Sequence, residues 1–266
     1  MKTIVNPRQM QREASKLKQE EKRIAFVPTM GALHEGHLCL IRRARKTADV
    51  VVVSIYVNPT QFGPKEDFKR YPRPLTQDKK LARQAGADII FAPQNLYEPD
   101  ASTTVSESLY SQGRCGKSRP GHFDGVTTVV TKLFLMVQPD VAIFGQKDAQ
   151  QCDVIERMVR DLYFPVKIIR VPIQRDRHGL ALSSRNQYLS PKEYQLALAL
   201  PRALKRAAQK YDVAKAKLAK QRVKKELQKY FHVVEYVTFA GGALCAAVKV
   251  GKTRLLDNVR LKKKIA

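Results

Sequence analysis

Two imidazoles three residues apart, His34 and His37, lie in the run Pro28-Thr29-Met30-Gly31-Ala32-Leu33-His34-Glu35-Gly36-His37. A buried-strand pattern, Ile24 to Val27, precedes them, and a segment of helical patterning follows. On a first helical turn a spacing of three projects both rings to one side, toward whatever the helix N-terminus binds. The unpaired N–H groups and positive dipole end of such a terminus favour an anion, and Gly31 and Gly36 let a phosphate chain approach the backbone. Two imidazoles beside a nucleoside triphosphate can stabilise charge developing on a pentavalent phosphorus. Zinc does not suit this motif, because no third His, Cys or carboxylate stands at useful spacing.

Other apolar runs also end in polar residues. Asn58 and Gln61 follow Val50 to Val57, and their uncharged amides can orient a small substrate without repelling its carboxylate. Gly145-Gln146-Lys147-Asp148 follows Val141 to Phe144 and opens a helix. Lys147 there can neutralise phosphate, Asp148 can hold a ribose or simply cap the helix, and Gln151 points back to the cleft. Arg119 lies in a basic, glycine-containing stretch, Arg114 to Phe123, and can pair with an anion; an ordinary surface loop is the other reading. In Gly179 to Asn186, Ser183, Ser184 and Arg185 suit phosphate oxygens, although a hinge with a helix cap would use the same residues.

The elements that must position these groups follow a clear order. Ile24–Val27, Val50–Val57, Ile89–Ala92, Val141–Phe144 and Val166–Val171 read as strands buried on both faces of a parallel sheet. Between them lie helix-length segments at Glu35–Lys46, Gln77–Ala85, Val126–Val137 and Ala149–Leu162. That alternation predicts an α/β, Rossmann-type doubly wound sheet over residues 1–175, with ligands at the carboxyl ends of the strands. From 176 to 266 the pattern predicts a smaller α+β domain: helical stretches at Pro191–Lys210 and Val213–Tyr230, then a hairpin about Gly241-Gly242 and a third strand from Thr253 to Leu256. The cleft between the two domains is the expected ligand site.

The bulk composition narrows the class further. At 266 residues and 44% hydrophobic content the chain can fill a real core. It has no apolar stretch long enough for a membrane span, and the opening segment is charged rather than signal-like, which predicts an unexported protein without a membrane partner. Four scattered cysteines, Cys39, Cys115, Cys152 and Cys245, fit a reducing, cytoplasmic setting. With 49 Lys and Arg against 24 Asp and Glu, the formal charge is +25. Nucleic acid, anionic membrane and phosphorylated small molecules all suit that sign, and a solvated basic face accounts for it as well. Much of the excess lies in Arg202 to Lys229 and in Lys262, Lys263 and Lys264.

Taken together, six motifs resemble the pantothenate synthetase family in order and spacing. They are Val27 to His37, Val57-Asn-Pro-Thr-Gln-Phe62, Tyr71-Pro-Arg73, Ser118-Arg-Pro-Gly-His-Phe123, Phe144-Gly-Gln-Lys-Asp148 with Gln150-Gln151, and Leu182-Ser-Ser-Arg-Asn186. The likeness runs from about Ile24 to Leu189 and resumes over Gly251 to Asn258. It implies a homodimeric, Mg2+- and ATP-dependent ligase that joins pantoate to β-alanine through pantoyl adenylate. It also implies that Met30, Gly31, His34, His37, Gly145, Lys147, Asp148, Gln174, Leu182, Ser183, Ser184 and Arg185 hold ATP, with His37, His34 and Lys147 catalytic. Gln61 and Gln151 would hold pantoate, with Asn58 and Arg119 nearby, and Asp78 would contact Mg2+. Gln146 stands where the family usually has an acidic residue, and Thr238 to Gly242 replaces an acidic stretch. Two other classes fit parts of the chain: a related nucleotidyltransferase or aminoacyl-tRNA-synthetase-like enzyme, which shares the histidine pair, and a basic nucleic-acid-binding protein.

Overall fold

The computed structural model describes residues 1–64, 66–211 and 213–261; Lys262, Lys263 and Lys264 of the basic tail lie outside them. The chain divides into two compact units, Met1–Gln146 with Gln150–Pro172, and Lys147–Ala149 with the residues from Ile173 onward.

The first unit contains strands β1 (Lys2–Ile4), β2 (Ile24–Thr29), β3 (Val50–Ile55), β4 (Ile89–Phe91), β5 (Val141–Gly145) and β6 (Lys167–Val171). Its helices are α1 (Pro7–Gln19), α2 (Glu35–Arg45), α3 (Leu75–Ala85), α4 (Arg114–Ser118), α5 (His122–Val137) and α6 (Ala149–Asp161). All strand pairings are parallel, in the order β1-β4-β3-β2-β5-β6. Chain order reverses between β2 and β5, which puts the topological switch point at the carboxyl ends of those two strands.

The strands form because their β-branched runs can be buried on both faces. Phe26, Ile90, Phe91 and Ile143 are fully buried, each such side chain contributing about 1.5–3 kcal/mol. Phe134 packs edge-on against both Phe26 and Phe164, covering the sheet with α5. The switch to helix after β2 is locally encoded, since Gly31 (φ 80°) and Ala32 (φ 50°) turn the chain through the left-handed region before α2 begins.

Within the first unit, two features depart from the sequence reading. The charged opening segment forms edge strand β1, paired with β4, and helix α1, whose Asn6 caps the Gln9 N–H and whose Pro7 is the first helical residue. The helix expected from Val126 starts at His122 after the left-handed Gly121, and the stretch before it contains α4 rather than loop alone.

The second unit carries an antiparallel sheet, β7 (Val233–Ala240), β8 (Ala243–Val250) and β9 (Thr253–Arg260), with α7 (Pro191–Ala197), α8 (Ala199–Gln209) and α9 (Ala216–Leu227). The expected helix over Pro191–Lys210 breaks at Leu198 into α7 and α8. Leu198, Leu200, Leu204, Leu227, Leu244 and Val248 form the core. Gly241 and Gly242 both have positive φ, as a two-residue hairpin of mirror-image turn type requires, so the departure from the family pattern comprises the end of β7, Thr238 to Ala240, and the β-turn that follows. No described helix is long and apolar enough to cross a membrane.

Candidate active site

His34 is the N-cap of α2 and lies in extended backbone. Its Nδ1 accepts the Gly36 N–H at 3.1 Å, while the His37 Nδ1 accepts the His34 N–H at 3.3 Å. The two rings are thus reciprocal caps, 4.1 Å apart between centroids. In a neutral imidazole whose Nδ1 accepts, the proton sits on Nε2. Both rings thus use Nδ1 for capping, at a terminus that already favours anions.

Asp78 holds the loop that delivers these rings. It is 1% exposed and accepts the Ala32 N–H at 2.9 Å and the Leu33 N–H at 2.7 Å. Burial pushes its carboxyl above the usual aspartate range, against the opposing pull of those two N–H bonds. A Cβ on Gly31 would lie 2.9 Å from Asp78 Oδ2 and 3.0 Å from Ile55 Cγ2, so the turn and the carboxylate are packed together. The two oxygens of Asp78, which the resemblance implies as a Mg2+ contact, each accept one backbone amide. Among the described residues no group of three or more His, Cys, Asp or Glu could hold a metal ion.

The amide pair after β3 is built just as tightly. Asn58, 1% exposed, donates through Nδ2 to Gln61 Oε1 (3.1 Å) and to the Gly125 carbonyl (3.0 Å), and its Oδ1 accepts from the Tyr97 hydroxyl at 2.8 Å. Gln61 is left with Nε2 directed at Met30 Sδ, 3.3 Å away. The structure thus brings Gln61 to the residue preceding the Gly31 turn, with Asn58 as its clamp.

Arg119 reaches the same place from another direction. Its Nη2 donates to the Gln61 carbonyl at 3.1 Å, and Nε and Nη2 make a fork onto Glu66 at 2.6 and 2.5 Å. His122 completes the grip, with Nδ1 2.8 Å from the Gln61 carbonyl and Nε2 2.9 Å from Arg119 Nη1. Burial works to raise the Glu66 carboxyl, but the Arg119 bonds and charge hold it below the usual glutamate range. Arg119 is therefore met by Glu66 and fastens the Gln61 turn.

Gln150, beside the anticipated Gln151, is 4% exposed and ties down the Tyr110–Cys115 stretch. Its Oε1 accepts the Cys115 N–H at 2.8 Å and its Nε2 donates to the Tyr110 carbonyl at 2.9 Å. Gln151 is half-buried on the first turn of α6, and Gly145 ends β5 with open space where a Cβ would stand.

The remaining anticipated residues belong to the second unit. Lys147 and Asp148 form a 3.6 Å ion pair in a short 3-10 turn, and the Lys147 carbonyl accepts from Asn258 Nδ2 at 3.0 Å. The Gln174 carbonyl accepts the Leu182 N–H at 2.9 Å, and Ser183 caps the turn Ser184–Tyr188 through the Arg185 N–H. Glu66, Tyr97, His122, Gly125, Arg175, Asp257 and Asn258 were assigned no role from sequence. Asp257 and Asn258 fell inside the resumed family likeness, which was the one available signal for them.

A parallel α/β sheet with a phosphate-favouring helix terminus at its switch point, beside two capping imidazoles and a buried amide cluster, is the framework of an α/β nucleotide-binding enzyme. More particularly, the chain belongs to the pantoate-β-alanine ligase family, whose model matches residues 2–260. It is 49% identical over 277 residues to the pantothenate synthetase of Heliobacterium modesticaldum, covering 97% of this chain and 99% of that one. The Thermotoga petrophila pantothenate synthetase is 48% identical, over 98% of this chain and 100% of that one. Among solved structures, pantothenate synthetase from Thermus thermophilus superposes with a TM-score of 0.89 at 40% identity, over 98% of this chain and 99% of that one. The Francisella tularensis pantoate-β-alanine ligase, solved with β-γ ATP and β-alanine, gives 0.85 at 35% identity, over 98% and 97%.

Proposed function

We propose that this protein condenses pantoate with β-alanine, consuming ATP and releasing AMP and pyrophosphate. One observation carries the reading on this chain's own atoms: His34 and His37 cap each other through Nδ1 at the start of α2, and a neutral ring held so carries its proton on Nε2. The relative crystallised with β-γ ATP and β-alanine supports the choice of substrates.

In the first step a pantoate carboxylate oxygen attacks the α-phosphorus of ATP. The bond from that phosphorus to its bridging oxygen breaks, and pyrophosphate leaves with the electron pair. His34 and His37 donate to phosphoryl oxygens as charge accumulates, and the Lys147 ammonium offsets it. In the second step the β-alanine amine attacks the acyl carbon, AMP departs, and the nitrogen loses a proton. The Gln61 amide, clamped by Asn58 and seconded by Gln151, orients pantoate without adding a charge to repel its carboxylate.

Met30, Gly31, Gly145, Asp148, Gln174, Leu182, Ser183, Ser184 and Arg185 are proposed to hold the nucleotide. Mg2+ does not find a cage among the described side chains. Such an ion would be held chiefly by triphosphate oxygens and water, where it would neutralise phosphate charge. A homodimer in the cytoplasm is the proposed working form, and sedimentation of the purified chain measures the first of these.

The deciding experiment follows pyrophosphate exchange into ATP with pantoate present and β-alanine absent, with mass-spectrometric detection of pantoyl adenylate. Folded, Mg2+-supplied protein that shows neither exchange nor adenylate would overturn the proposal.

A further inference from the structure

Asp257 and Asn258, adjacent on β9, are 2% and 3% exposed. Strands of a surface sheet seldom bury two such polar side chains unless each has work for its polar atoms. Both do. Arg175 makes a fork onto Asp257, 2.7 Å from Nη1 to Oδ2 and 2.9 Å from Nη2 to Oδ1. The same guanidinium donates to the Gly179 carbonyl at 3.0 Å and to the Asn258 carbonyl at 3.2 Å.

Arg175 is itself bridged to Ala181, and the neighbouring Leu182 N–H bonds to the Gln174 carbonyl. The pair Arg175–Asp257 therefore pins the base of the loop that leads into Ser183, Ser184 and Arg185. On the other side, Asn258 turns its backbone N–H onto Asp257 Oδ1 at 2.7 Å and its Nδ2 onto the Lys147 carbonyl at 3.0 Å. Two consecutive residues of one strand thus hold both of the second unit's proposed phosphate-binding segments.

We infer that Asn258 is a positioning residue for the adenylation step, its amide setting the backbone from which the Lys147 ammonium reaches phosphate. This rests on the reading of Lys147 as a phosphate contact. A lysine is a flexible point charge whose value depends on where its stem begins, so fixing its carbonyl fixes the reach of the ammonium. In this reading the Asn258 side chain works by positioning, through the Lys147 carbonyl.

The test is a double-mutant cycle on the full chain, read as pantoate-dependent pyrophosphate exchange per folded molecule. Asn258→Ala is expected to lower the maximal rate about tenfold, within the loss that a misplacement of about 1 Å produces, and to leave the pantoate KM unchanged. In the Lys147→Ala background the same change should add nothing. Thermal melting supplies the folded fraction, and Asn258→Ser, which keeps a polar group in the buried space, is the second variant if alanine does not fold. A wild-type rate in Asn258→Ala, a deficit explained entirely by folded fraction, or an equal loss with and without Lys147 would each overturn the inference. A wild-type rate in Lys147→Ala alone would instead overturn the underlying phosphate-contact reading, and this inference with it.

Discussion

Replacing Asp78 by alanine tests whether one buried carboxylate sets the geometry of the histidine pair. The substitution removes both acceptors for the Ala32 and Leu33 N–H groups. Each buried donor left unsatisfied costs about 1–3 kcal/mol, so two would cost roughly 2–6 kcal/mol if the loop kept its shape. It need not keep it, because Ala32 sits at φ 50° and regains about 1–2 kcal/mol on leaving the left-handed region. The expected stability loss is therefore about 2.5 kcal/mol, the middle of the first range less the middle of the second, measured by urea denaturation near neutral pH. Relaxation of the loop moves His34 off its cap, and pyrophosphate exchange should fall by roughly 10- to 100-fold. A pH series adds a sign. Burial raises the Asp78 carboxyl, so between the ordinary aspartate range and its raised value the folded chain holds a proton that the unfolded chain has lost. Stability from this group falls as pH rises through that window, and Asp78→Asn, which cannot ionise, should flatten the slope. Unchanged denaturation midpoint and exchange rate in Asp78→Ala would refute the argument.

Further expectations concern other parts of the site. His37→Ala should slow single-turnover adenylation by about 10²- to 10³-fold, the usual loss of one preorganised donor; a rate near wild type would reassign the role. A Cβ at Gly125 would stand 2.5 Å from the Thr60 carbonyl oxygen and 2.7 Å from the Gln61 N. Gly125→Ala should therefore cost about 1–3 kcal/mol of stability, and it should raise the pantoate KM more than the ATP KM in steady-state titrations. Breaking the Arg175–Asp257 pair with Arg175→Ala leaves a carboxylate buried, and about 3–5 kcal/mol should disappear from the denaturation free energy. The Arg119 fork holds Glu66 low, so its contribution is complete above the ordinary glutamate range and is lost as pH falls through the lowered value. Glu66→Gln should remove that acid-side loss from a stability-pH profile.

The sheet was legible because β2, β3, β4 and β5 are apolar along most of their length, which is what burial on both faces demands. Strand β1 was not legible, since three residues are too few to show a period and its partner β4 lies far along the chain. The break at Leu198 between α7 and α8 is equally hidden, as Ala and Leu on both sides favour an unbroken helix. Within the site, His34 and His37 announced themselves by spacing and by following a buried strand. Their reciprocal capping could not be read, because it depends on backbone φ and ψ at His34. For Asp78 the identity was visible but the task was not: nothing in a linear chain reveals that an acidic residue on α3 turns inward to the Ala32 and Leu33 amides. Arg119 was noticed for its charge, while its partner Glu66 lies 53 residues earlier and met it only in the fold.

The tie from β9 to Lys147 has a temporal consequence. A chain emerging from the ribosome exposes the histidine turn early and Lys147 midway, yet the strand that fastens Lys147 is synthesised after every other element described. Until β9 is laid against β8, the bond from Asn258 Nδ2 to the Lys147 carbonyl has no donor in place, so this tie is among the last to form as the chain is made.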